Sequence, residues 1–254
     1  MRKVMVIGIG AGDPEYLTMQ AIRALNQVDV FFVVDKRDET RELVRMRQDI
    51  CDRYITDRTY RIAEVEDPER DRAAVPYRAA VEAWRERRTE VWETAIRREL
   101  EDDGCGAFLV WGDPSLYDST LGVIDHILAR GALTFEYEVI PGITSVQALA
   151  AKHRIALNRI GGPIQITTGR RLQEGFPSES DDVVVLLDSD CSFRHVAHED
   201  LDIYWGAYVG TADEILVSGD LQTVMDDIER VRSEARARKG WIMDAYVLKR
   251  KASE

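Results

Sequence analysis

Histidine, cysteine and proline are all scarce in this chain of 254 residues, at four, three and seven copies. The three cysteines, Cys51, Cys105 and Cys191, are isolated and odd in number. They supply neither a disulfide framework nor a thiolate metal site, and they suit a reducing, cytoplasmic setting. Two of the histidines, His195 and His198, stand three residues apart, but no carboxylate motif such as HExxH accompanies them. They read as surface histidines of a loop, and no metal is expected. Long apolar runs are lacking too. VFFVV at 30–34 and VVVLL at 183–187 have strand length and fall far short of a membrane span, so no membrane partner is expected. Arg2 and Lys3 ahead of VMVIGIG have the charge of a signal peptide, yet the apolar stretch is short, broken by glycines and ended by Asp13, which suits a buried first strand. Positive charge is also in deficit. With 34 Lys and Arg against 46 Asp and Glu, the net charge is −12, which argues against a nucleic-acid partner because neutralising phosphates requires a basic face.

What is present is an α/β pattern. An apolar content of 45% suffices for one large core or two modest ones. Val4–Ile9 reads as a strand, a helix follows from about Leu17 to Asn26, and DVFFVVD forms a second strand ending at Asp35. This βαβ start predicts a parallel sheet. The stretch from Arg37 to Asp103 is charged and reads as mostly helical, with Tyr77, Val81, Trp84, Val91, Trp92, Ala95 and Ile96 at helical spacing. GAFLVWGD, a helix stopped by Gly131, FEYEVIPG and the helix SVQALAAKH complete a first domain over 1–157. The texture then changes to short strand-like runs (PIQITTG, DVVVLLD, DIYWGAYVG, DEILVSGDL, WIMDAYVLK) around one clear helix. A second α/β domain with a more mixed sheet is expected over 158–254.

Three of the strands end in small-residue turns: GIGAGDP from Gly8, WGDPSLYDST from Trp111, and PGITS from Pro141. An open parallel sheet holds its ligands at the carboxyl ends of its strands, where bare backbone allows close approach. The first turn departs from the dinucleotide fingerprint. Gly8, Gly10 and Gly12 give G-x-G-x-G, but Asp13 and Pro14 stand where a third glycine and an open helix N-terminus are needed. An NAD-binding or nucleotide-binding domain is thereby disfavoured.

Taken in this order, the three turns resemble those of the tetrapyrrole methylases, S-adenosylmethionine-dependent enzymes of corrin and sirohaem synthesis. GIGAGDP, FFVVDKRD and FLVWGDPSLYDST are most similar to the branch that methylates C-1 of precorrin-5 and expels acetate; Ala11 stands where most of the family carries proline. The resemblance implies a two-domain fold, S-adenosyl-L-methionine as methyl donor with S-adenosyl-L-homocysteine as product, a polyanionic corrin precursor as substrate, and a homodimer. A sibling methylase acting at another ring carbon is the alternative. By resemblance, the cofactor is lined by Ala11, Gly112, Asp113, Leu116, Thr144 and Ser145, with Leu187 and Gly206 or Ala207 from the second domain. Asp113 has a second reading, as the closing residue of an Asx turn.

Methyl transfer from a sulfonium needs orientation and excluded water more than acid–base help, and orientation supplies on the order of 7–11 kcal/mol. Loss of an acetyl group is different, because water must attack a carbonyl and a positioned group assists. Asp35, Tyr117 and His153 are the catalytic candidates by loop placement. A substrate with many carboxylates calls for local cations. Lys36 and Arg37 after the second strand, and Arg170 and Arg171 in TTGRRL, are the candidates, with Lys152–Arg154 nearby in sequence.

Overall fold

The structure is a computed structural model that describes residues 1–35, 41–56, 59–68 and 77–251. Its contacts divide the chain into two compact units, one of residues 1–10 and 14–143, the other of residues 11–13 and 144–254. The division therefore falls before the helix SVQALAAKH, which the sequence texture had placed with the first domain.

The first unit is a five-stranded sheet in the order β3-β2-β4-β1-β5, parallel throughout: β1 (Lys3–Gly8), β2 (Val30–Asp35), β3 (Arg61–Glu66), β4 (Cys105–Val110) and β5 (Glu136–Ile140). Strict alternation of side chains builds two cores. Val4, Val6, Phe32, Phe108 and Val110 face one side, where α3 (Tyr77–Glu99) and α4 (Thr120–Arg130) pack. Met5, Ile7, Phe31, Ala107 and Leu109 face the other, against α1 (Met19–Leu25) and α2 (Arg41–Tyr54). Trp92 of α3 stacks on Phe108 at 4.3 Å between ring centroids, so this aromatic spacing serves the core.

The stretch 37–103 is mostly helical, as expected, through α2 and α3, and β3 is a strand within it that the sequence reading did not foresee. Only Ala63 and Val65 of RIAEVE are buried, at alternate positions on an edge strand, and its charged neighbours hide the period of two.

The second unit carries a mixed sheet in the order β6-β7-β10-β8-β9, with β6 (Ile164–Thr168) parallel to β7 (Asp182–Leu186) and every other pair antiparallel among β8 (Leu201–Ala207), β9 (Ile215–Asp220) and β10 (Asp244–Arg250). Helix α5 (Ser145–His153) packs on β8 and β10, the short α6 (Gly169–Leu172) follows β6, and α7 (Leu221–Lys239) runs between β9 and β10. Gly206 lets α5 approach: a Cβ there would stand 2.6 Å from Leu149 Cδ1. Asp220 caps α7 by accepting the Thr223 N–H at 2.9 Å, and Gly240 ends it at φ +79°.

Candidate functional site

In the first unit the turns after β1, β4 and β5 meet as bare backbone. A Cβ on Gly8 would lie 2.6 Å from Gly142 N and 2.9 Å from Gly112 O, and one on Gly142 would overlap Gly112 O. Gly10 and Gly112 pair as an isolated antiparallel bridge, with the Gly112 N–H donating to Gly10 O at 2.8 Å. The glycines thus serve first to let three turns touch. After the first turn comes a single 3-10 turn, Pro14–Tyr16, and α1 starts only at Met19, capped by Thr18. The glycine turn is therefore not followed directly by an α-helix N-terminus, unlike the turn that holds a pyrophosphate in a dinucleotide-binding domain.

Asp113 locks this arrangement. Its Oδ1 accepts the Ser115 N–H at 2.8 Å and the Ser115 hydroxyl, closing an Asx turn, while its Oδ2 accepts the Gly142 N–H at 2.8 Å. Burial pushes the carboxyl pKa up, but the hydrogen bonds from Ser115 and Gly142 outweigh it and hold the group below its ordinary value. Asp118 repeats the device, accepting the Thr120 N–H at 2.6 Å at the start of α4. Between them Tyr117 is 48% exposed at φ +53°, an uncommon conformation for a bulky residue. Leu116 is half-buried, its N–H on Asp113 O.

The second unit has a comparable feature. Leu187, just past β7, is 67% exposed and held at φ +53°. The next residue fixes it. The buried Asp188 carboxylate accepts from Asp190 N, Ser192 N, Ser192 Oγ and Tyr246 Oη at 2.6–3.0 Å, and Arg232 Nη2 donates to the Asp188 carbonyl at 2.7 Å. Arg232 Nε in turn reaches Asp244 at 2.9 Å, whose carboxylate also accepts from Trp205 Nε1. Backbone strain persists where its surroundings over-determine it, and this network does so. The sequence does not show it, because Asp188 lies past the end of β7, Arg232 within α7 and Asp244 at the first position of β10.

The remaining sequence candidates divide. Thr144 is the N-cap of α5, its hydroxyl engaged with Gln147 in a capping box, so its side chain is a structural device; Ser145 is the first helical residue and half-buried. Ala11 and Ala207 are buried, the latter at the end of β8. His153 Nε2 donates to Trp205 O at 3.0 Å and its ring meets Tyr204 edge-on, contacts that seat α5 on β8. That commitment weighs against its use as a catalytic base. Arg170 and Arg171 lie in α6 rather than in a loop; both are exposed, and Arg171 pairs with Glu174 at 3.0 Å. Asp35 closes β2, opposite Glu66, but its side chain lies outside the described residues, as do Lys36 and Arg37 entirely.

Residues 3–225 match the tetrapyrrole (corrin/porphyrin) methylase family, and the chain belongs to that family. It is 49% identical over 252 residues to a precorrin-6A synthase [deacetylating] from Sinorhizobium sp., covering 99% of this chain and 97% of that protein. Among solved structures, a putative cobalamin synthesis related protein (CobF) from Corynebacterium diphtheriae superposes with a TM-score of 0.84 at 38% identity, over 98% of both chains. A uroporphyrin-III C-methyl transferase from Thermus thermophilus, solved with S-adenyl homocysteine, shares the fold at a TM-score of 0.60 and 17% identity, over 97% of this chain and 92% of that one.

Proposed function

We propose that this chain is an S-adenosylmethionine-dependent C-methyltransferase of corrin-ring synthesis, which methylates C-1 of precorrin-5 with release of acetate to give precorrin-6A. The observation that carries this reading is the near-full-length match, at 49% identity, to the deacetylating synthase.

The bound cofactor supplies a methyl group on a positive sulfur, with no phosphate to be held. The site residues suit such a ligand. The turns after β1, β4 and β5 offer closely packed backbone, with α5 starting directly from the last of them behind its Thr144 cap, and Leu187 offers an exposed apolar surface at positive φ. In the first unit Gly112, Asp113 and Leu116 take the cofactor role, with Asp113 acting through the backbone it ties to Gly142. In the second unit Ala11, Thr144, Ser145, Leu187, Gly206 and Ala207 take it through backbone and packing.

Acetate release requires hydroxide to add to the acetyl carbonyl. The bond from that carbon to the ring carbon then breaks, and its electron pair stays on the ring carbon, which becomes the nucleophile. Asp35, which ends β2, takes the role of positioning the water in this reading, with Tyr117, exposed in the turn after β4, as the second candidate. Lys36, Arg37, Arg170 and Arg171 supply charge for substrate carboxylates. The enzyme is read as a cytoplasmic homodimer, in keeping with the family and with three free thiols, of which buried Cys51 is pushed up to about 12 by desolvation.

The test is to give purified protein precorrin-5 and S-adenosylmethionine and to determine the product by mass spectrometry and NMR. A product with a new methyl at C-1 and no acetyl group supports the reading. A methylated product that keeps its acetyl group, or carries the methyl elsewhere, assigns the chain to a sibling reaction.

A further inference from the structure

We propose that Arg47 of α2 binds a carboxylate of the tetrapyrrole substrate at the split between β2 and β4; the identity of that substrate rests on the function proposed above.

The split follows from topology. Strand β2 passes its chain through α2 to β3 on one side, whereas β4 passes it through α4 to β5 on the other. Where successive connections leave in opposite directions, the carboxyl ends of neighbouring strands open a crevice. The ladder between β2 and β4 accordingly stops at Phe32↔Phe108, although both strands continue. The next carbonyl of β4, Leu109 O, receives Arg47 Nε at 3.2 Å, and Arg47 Nη1 reaches back to Leu43 O at 3.0 Å.

Arg47 belongs to the packed side of α2. It lies four residues after Leu43 and three before the buried Ile50. A guanidinium there is costly: burial pushes its pKa down, with only the charge of Asp118 opposing the shift. In this acidic protein the other described arginines that are not exposed, Arg2, Arg88, Arg232 and Arg250, each face a carboxylate within 4 Å. Arg47 has no such partner among the described residues. A guanidinium has five N–H donors, and the two bonds to Leu109 and Leu43 leave three, enough to grip a carboxylate with two parallel bonds. Two residues beyond Leu109, the buried Trp111 Nε1 also lacks an acceptor among the described residues.

The test separates Arg47 from the identity of the substrate. Binding of cobyrinic acid, a stable corrin polycarboxylate, and of its fully methyl-esterified form is measured by absorbance titration for wild type, Arg47→Gln and Arg47→Lys. Gln keeps a donor for Leu109 O without the charge, and circular dichroism and thermal melting verify the fold. Loss of one charge-assisted carboxylate contact should weaken binding of the acid by Arg47→Gln about ten- to a hundredfold. Ester binding and S-adenosylmethionine affinity should stay unchanged, and Arg47→Lys should recover part of the loss. Acid binding unaffected by Arg47→Gln, or acid and ester weakened equally, overturns the proposal and leaves Arg47 a structural residue. Failure of the wild type to convert precorrin-5 would overturn the proposed function without bearing on this comparison.

Discussion

Asp113 Oδ2 accepts the backbone N–H of Gly142 at 2.8 Å, so the carboxylate of the turn after β4 holds the turn after β5 in place. Because the same carboxylate also closes its own turn through Ser115, Asp113→Asn brings an amide N–H toward groups that are themselves donors. A loss of about 1–3 kcal/mol in urea unfolding is expected, with weaker S-adenosylmethionine binding by calorimetry. The folded pKa of Asp113 is depressed, so its contribution is present in full above the unfolded value near pH 4 and is lost as pH falls through the folded value. The stability gap between wild type and Asp113→Asn should therefore narrow as pH falls below about 4, and a gap that widens there contradicts this role.

Gly142 and Gly122 give opposite expectations for the same substitution. Gly142→Ala drives a methyl into Gly112 O and Gly8 Cα, whereas a Cβ on Gly122, inside α4, meets nothing within 4 Å. Gly142→Ala should cost about 1–3 kcal/mol and abolish tight cofactor binding. Gly122→Ala should stabilise by about 0.5–1 kcal/mol with cofactor affinity unchanged. Denaturation curves and calorimetry on the two proteins decide it; equal effects would mean that the turns do not need their close approach.

The polar network beneath Leu187 predicts coupled losses. Tyr246→Phe deprives the buried Asp188 carboxylate of one donor and should cost about 1–3 kcal/mol. Arg232→Met leaves Asp244 buried without its ion pair and should cost about 3–5 kcal/mol. If the network serves to hold Leu187 at positive φ, Tyr246→Phe should also weaken S-adenosylmethionine binding under conditions where it stays folded. Native affinity in a destabilised Tyr246→Phe would confine the network to stability.

The sequence was most informative where periodicity and punctuation agree. The apolar run Val4–Ile9 and the stop at Gly131 each sit where a local rule puts them, and the order of the three turns led to the family. Strand β3 was hidden because an edge strand needs only Ala63 and Val65 inside. The boundary after Ile143 was hidden because α5 is contiguous in sequence with one unit and packed in the other. Thr144 was a candidate by resemblance and His153 by loop placement, and the structure engages the one in capping and the other in packing. Arg47 carried a legible signal, a charge on the apolar stripe of α2, but an amphipathic reading treats such a residue as noise until the fold shows what it faces.

The measurement that bears most directly on the function is the stoichiometry of small products. When purified protein turns over precorrin-5 with S-adenosylmethionine, acetate and S-adenosylhomocysteine should appear in equal amounts throughout the progress curve, because the ring carbon becomes nucleophilic only as its bond to the acetyl group breaks. S-adenosylhomocysteine released without acetate would contradict the assignment.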